Sequence, residues 1–184
     1  MGALLSEPVT AMVVERRTSA LWTASTATMQ GWRKTHEDAH ILSACGASEG
    51  AGVFAVLDGH GGHIAAHLSA AMLEDRLVKL ACQGTMDAAS AVQELQAAFL
   101  DADAKLRDEL PAEDRSGTTV VAAIVTETQP SKYCVQLAHC GDSRAVLCAG
   151  QDLVCSQDHK PQREDETRRI RAAGGTVEHG PLGG

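Results

Sequence analysis

The segment VFAVLDGHGGH, Val53 to His63, ends an apolar run on a carboxylate and follows it with two imidazoles and three glycines. An acid at a strand's end sits on stiff backbone, so Asp58 is well placed to be a metal ligand. Gly59 lets the main chain pass close enough for its carbonyl to be another. Oxygen donors of this kind suit Mg²⁺ or Mn²⁺. His60, next in the chain, can move a proton near neutral pH. The competing reading is a polar turn between strand and helix, loosened by Gly61 and Gly62, and the segment alone leaves both open. Zinc at His60, His63 and His67 is disfavoured. His63 and His67 lie one helical turn apart, but an H-E-x-x-H site needs glutamate where Ile64 stands.

A second segment, GWRKTHEDAH, carries Arg33 and the adjacent acids Glu37 and Asp38. Alone it reads as solvated surface. With Asp58 it supplies what phosphate chemistry requires: several carboxylates for a divalent cation and a guanidinium fork for phosphate oxygens.

The elements that must position these residues are legible in part. AGVFAVL reads as a buried strand bounded by glycine. Ile64, Leu68, Met72, Leu73, Leu77 and Leu80 recur at helical spacing and predict a helix over about 63–81. A second helix follows Gly84, with Ala88, Val92, Leu95, Phe99, Ala102 and Leu106 on one face, and Pro111 closes it. TTVVAAIV and YCVQLAHC predict strands, RAVLC and LVC a hairpin. The segment after Pro161 predicts a helix stopped by Gly174-Gly175, with a new strand beginning at TVEHG. Residues 1 to about 25 read as a tail leading into a first strand, and 26–184 as one α+β domain.

Composition narrows the function. A formal charge of −8 argues against a nucleic-acid surface, which needs a basic stripe. Aromatics are only 3% of residues, so Ala, Val, Leu and Ile must build the core. The six cysteines form no C-x-x-C pair and read as reduced thiols. No apolar run approaches the ~18 residues that span a bilayer. MGALLS fits the pattern for myristoylation of Gly2, and a single acyl chain gives only weak, reversible membrane association. The expected location is the cytoplasm, with the nucleus or a peripheral membrane position as alternatives.

Five segments, MQGWRKTHEDAH, VFAVLDGHGG, SGTTVVAAIV, LAHCGDSRAVL and QDHKPQREDETRRIRAAGGTV, stand in the order seen in the metal-dependent protein serine/threonine phosphatases of type 2C, which this chain resembles from Met29 to Val177. The resemblance covers about the first two-thirds of that family's catalytic domain. It implies a two-layer β-sandwich flanked by α-helices, with a two-metal centre at one end. Asp58 resembles the acid bridging both ions, Gly59 the carbonyl ligand and Glu37 the acid on the same ion. Asp38 resembles the acid that orients water, and Asp142 a holder of a third, weaker ion. Arg33 resembles the phosphate clamp, and His60 the general acid for the leaving alkoxide. The substrates implied are phosphoserine and phosphothreonine proteins, attacked by metal-activated water with no phosphoenzyme. His36 departs from the family, which often has Met there. The second ion's two further aspartates lie C-terminal to AGGTV in the family and are not in this sequence. The expectation for these 184 residues alone is one weakly held Mg²⁺ or Mn²⁺ and severely impaired turnover. A non-catalytic module competing for substrates or partners is the alternative, and a purely structural domain is disfavoured by the five ordered motifs. Oligomeric state is not readable.

Overall fold

The structure, a computed structural model, describes residues 4–45 and 50–178. Two long strands open it, β1 (Leu4–Thr18) and β2 (Thr23–Arg33), joined by a turn in which Ser19 Oγ accepts from the Leu21 and Trp22 amides. They pair antiparallel with shifts in register near Val9. Within the stretch read as a tail leading into a first strand, Leu4 to Thr18 already form a strand. The segment lacks a two-residue apolar alternation because most of β1 is exposed on both faces, so its strand character comes from pairing with β2. Gly2 lies outside the described residues.

The centre is an antiparallel sheet of β3 (Ala39–Ala44), β4 (Ala51–Leu57), β7 (Val120–Gln129) and β8 (Lys132–Cys140), in the order β3-β4-β7-β8. Between β4 and β7 come the short β5 (Gly59–His60), the helices α1 (Ile64–Cys82) and α2 (Ala88–Glu109), and β6 (Gly117–Thr118), which pairs with β5. A hairpin, β9 (Val146–Ala149) with β10 (Asp152–Cys155), and helix α3 (Glu164–Ala172) complete the described chain. Thr176 to Glu178 carry no strand, and the rest of the TVEHG expectation lies outside the described residues.

One face of the central sheet is covered by α1. Val53 and Leu57 from β4 meet Leu73, Leu77 and Leu80 from α1, all at 2% exposure or less. This is the Ala/Val/Leu core that the scarcity of aromatics demands. Ser43 on β3 adds a polar tie, donating its hydroxyl to Glu74 on α1. Helix α2 starts at Asp87, whose carboxylate accepts from the Ala89 and Ser90 amides. Its buried stripe is Ala91, Leu95, Ala98 and Ala102. The predicted face was one residue off at its start: Val92 is 65% exposed. Alanine, with its small side chain, fills three of these four buried positions.

The second layer is the β1–β2 ribbon. Glu15 lies 3.3 Å from His40 of β3, Trp22 meets Phe54 edge-on at 5.1 Å, and Tyr133 donates to the Leu21 carbonyl. Between ribbon and sheet a cleft of about 530 Å³ remains, with Phe54, Val56 and Leu137 on its floor.

The reading of six reduced thiols is also corrected. Cys45, after β3, and Cys82, at the end of α1, form a disulfide across 37 residues, while Cys134, Cys140, Cys148 and Cys155 are free. Sequence spacing holds no sign of this pair, because the packing of α1 on the sheet creates it. Among the described residues no helix is long and apolar enough to cross a membrane.

Candidate active site

Strand register assembles the site. Ala39 pairs with Leu57, so the residues just beyond that end, Asp38 and Asp58, emerge side by side from neighbouring strands. Arg33 ends β2 on the same side, where Gln30 donates to the Arg33 and Lys34 carbonyls and shapes the exit. A cavity of about 400 Å³ results, and Arg33, Glu37, Asp38, Asp58 and Gly59 all line it. Two segments that sequence reading could join only by their chemistry thus share one space.

The acidic loop is braced from behind. Thr35 Oγ1 donates to Glu37 at 2.8 Å. His36, the departure from the family pattern, is hydrogen-bonded to Thr28 on β2 and lies 3.9 Å from Asp38. Gly59 sits at backbone contact with this loop: a Cβ there would fall 2.1 Å from the Glu37 carbonyl oxygen. The Asp58 carbonyl accepts from the Thr119 amide at 2.9 Å, which fixes the strand end on β7's approach.

Burial holds the Asp58 carboxyl above its ordinary range, and the charges of Asp38 and Asp142 push it further. Arg33 and His60 pull the other way without cancelling the rise. A buried carboxyl raised further by neighbouring acids marks a place where a cation is favourable. Hard oxygens from Asp58, Glu37, Asp38 and the Gly59 carbonyl match Mg²⁺ or Mn²⁺. The donor chemistry therefore fits. The geometry is open, since among the described residues no three His, Cys, Asp or Glu side chains are drawn into a ready-made cluster.

Two predicted residues stand apart from that cavity. His60 is exposed and its ring lies against Gly117, where a Cβ would come within 2.6 Å of Nε2. It lines a neighbouring cleft with Asp103, Arg107 and Ser116. Its charge nonetheless reaches Asp58. Asp142 is paired with Lys160 at 3.5 Å and also acts on Asp58 only through space. His63, the N-cap of α1, and His67 in its first turn are exposed, with rings 5.6 Å apart.

Sequence reading missed Arg144 and Ser143, which line the cavity. Arg144 grips Asp158 through two bonds of 2.9 and 2.8 Å, which holds the Asp158 carboxyl below its usual range. Ser143 shares a hydrogen bond of 2.5 Å with Thr119. The available signal was their position in GDSR beside Asp142, and Asp158 is what aims Arg144.

The loop carrying His60 is held by a residue far along the chain. Helix α1 has no side-chain cap of its own at His63. Ser116 Oγ instead accepts from the Ala65 amide at 3.1 Å and donates to Asp114. Replacing Ser116 with alanine should cost about 1 kcal/mol of stability in urea unfolding. Ser116→Thr should recover most of it, and an alanine variant as stable as wild type would remove the cap from this account.

The family model for protein phosphatase 2C matches residues 22–184. A probable protein phosphatase 1N of Mus musculus is 43% identical over 152 residues, covering 81% of this chain and 36% of that protein. A probable protein phosphatase 2C of Caenorhabditis elegans is 38% identical across 100% of this chain and 50% of its own length. The chain thus spans about a third to a half of the curated relatives it matches. A solved phosphatase from Toxoplasma gondii aligns with a TM-score of 0.61 at 20% identity, over 96% of this chain and 61% of that one. A sex determining protein of C. elegans aligns with a TM-score of 0.64 at 21% identity, over 98% of this chain and 41% of its own. At such identities the solved structures speak to the fold alone, and the fold is α+β.

Proposed function

Because this chain belongs to the protein phosphatase 2C family, we propose that its cavity is a divalent-cation and phosphate site for hydrolysing phosphoserine and phosphothreonine in proteins. The observation that carries this reading is the register of β3 on β4, which sets Glu37 and Asp38 beside Asp58 and Gly59 in a cavity that Arg33 also lines. A bound Mg²⁺ or Mn²⁺ would supply Lewis-acid charge and a water of lowered pKa. Asp58, Glu37 and the Gly59 carbonyl would hold it.

The chain's own groups do the rest. The Arg33 guanidinium donates to two phosphate oxygens at once and fixes the phosphoryl group in line for attack. An Asp38 carboxylate oxygen accepts a hydrogen bond from the attacking water and orients it. Expulsion of a serine or threonine alkoxide is slow without a proton, and the His60 imidazole is the donor that can supply one. Arg144, anchored by Asp158, adds a second positive charge to the cavity lining. None of the free cysteines is needed as a nucleophile.

The test is phosphate release from a phosphothreonine peptide in Mn²⁺, for wild type and for Arg33→Ala. Expected is slow, Mn²⁺-dependent turnover that falls by roughly 100-fold or more in the variant, as for the loss of one transition-state donor. Undiminished turnover in Arg33→Ala would sink the assignment. Peptide binding without turnover in wild type would instead select the second reading, a module that competes for phosphatase substrates. The open arrangement of the acids is what keeps that reading in play.

A further inference from the structure

We propose that the Cys45–Cys82 pair is a reversible thiol-modification site, a redox tether that sets how firmly α1 is docked on the central sheet. The inference does not depend on the phosphatase reading. Cys45 follows the last residue of β3, and Cys82 is the last residue of α1. Their Cα atoms are 5.4 Å apart, within the span that a disulfide bridges. The opposite ends of the same two elements carry the site. Glu37 and Asp38 precede β3, and Asp58 to His60 precede α1. The bond therefore closes a loop containing Asp58, Gly59 and His60, and pins the far end of the two elements from which the site is built.

The two sulfurs differ in access. Cys45 is 8% exposed and packed in the core beside Leu77 and Leu80, whereas Cys82 is exposed. Exchange with a small thiol such as glutathione thus begins at Cys82. The glutathione thiolate attacks Cys82 Sγ, the protein S–S bond breaks, and its electron pair leaves on Cys45 Sγ, which takes a proton from water. A second glutathione thiolate attacks the glutathione sulfur of the mixed disulfide and releases Cys82. In sum, two glutathione thiols and one protein disulfide become glutathione disulfide and two protein thiols. After reduction, the Ser43–Glu74 hydrogen bond and the leucine contacts remain to hold α1.

The experiment combines non-reducing peptide mapping with thermal unfolding, in glutathione disulfide and in dithiothreitol, for wild type and Cys82→Ser. Expected is a linked Cys45–Cys82 peptide in oxidised wild type, and a midpoint that falls by roughly 8–15 °C on reduction. Cys82→Ser, an exposed and conservative change, should keep one midpoint in both buffers, near that of reduced wild type. The four free cysteines are present in both proteins and control for other thiol effects. Absence of the linked peptide, or an equal fall in Cys82→Ser, would overturn the proposal.

Discussion

A Gly59→Ala variant should lose roughly 3 kcal/mol of stability, at the upper end of the overpacking range, along with its Mn²⁺ binding. The reason is steric and local. The added Cβ would meet the Glu37 carbonyl oxygen at 2.1 Å and its carbon at 3.0 Å, with Ala66 Cβ at 3.2 Å. Two of these atoms are backbone, so no side-chain rotation relieves the overlap. The acidic loop and the Asp58–Gly59 strand end would have to separate, and these are the parts that carry Glu37 and Asp58. Stability and site geometry should fail together. Gly84→Ala is the matched control. Gly84 has a φ of +90° but nothing within 4 Å of its would-be Cβ, so alanine there costs about 1–2 kcal/mol, from backbone strain alone. Urea unfolding of the two variants, followed by calorimetric Mn²⁺ titration of the folded protein, makes the comparison. Equal losses at the two glycines, or a Gly59→Ala variant that titrates like wild type, would remove the close approach from the explanation.

The site was legible in sequence where chemistry is concentrated in short segments at strand ends. Asp58 and Gly59 follow a strand that announces itself by being apolar on nearly every residue, and Glu37 and Asp38 stand just before another. Once such strands pair antiparallel, their ends must meet. Long-range partners were not legible. Arg144 is aimed by Asp158, Ser116 caps a helix 51 residues earlier in the chain, and Cys45 finds Cys82 only through the docking of α1. Nothing in the local pattern marks any of these. Strand β1 escaped for a different reason. It buries neither face well, so no alternation betrays it, and its order comes from the ladder it shares with β2. On α2 the period was right but the stripe shifted, because the buried positions are mostly alanines, whose weak apolarity marks a face poorly, while Val92 is exposed.

An Asp58→Asn variant should move two measurements in opposite directions, raising the unfolding midpoint of the metal-free protein while weakening Mn²⁺ binding by at least ~100-fold. The stability gain follows from the sign of the Asp58 shift. Burial and the charges of Asp38 and Asp142 raise its pKa above the ordinary 3.8. A raised carboxyl favours the folded state only while protonated. Its contribution is present at low pH and is lost as pH climbs through the folded-state value, so at neutral pH the ionised group opposes folding. Asparagine keeps the shape and removes the charge, hence the higher midpoint. The loss of binding has the same origin: the crowding of negative charge that strains the free protein is what a divalent cation relieves. Outer-shell changes alone cost 10–100-fold in affinity, about the floor for removing a charged ligand. Thermal unfolding in chelator and calorimetric Mn²⁺ titration supply the two readings. Unchanged Mn²⁺ affinity would take Asp58 out of the site, while a lower midpoint would mean that its carboxylate stabilises the fold and the acids do not strain one another. Only the combination of a gain without metal and a loss with it identifies a cavity whose charge is held for a cation rather than for the fold.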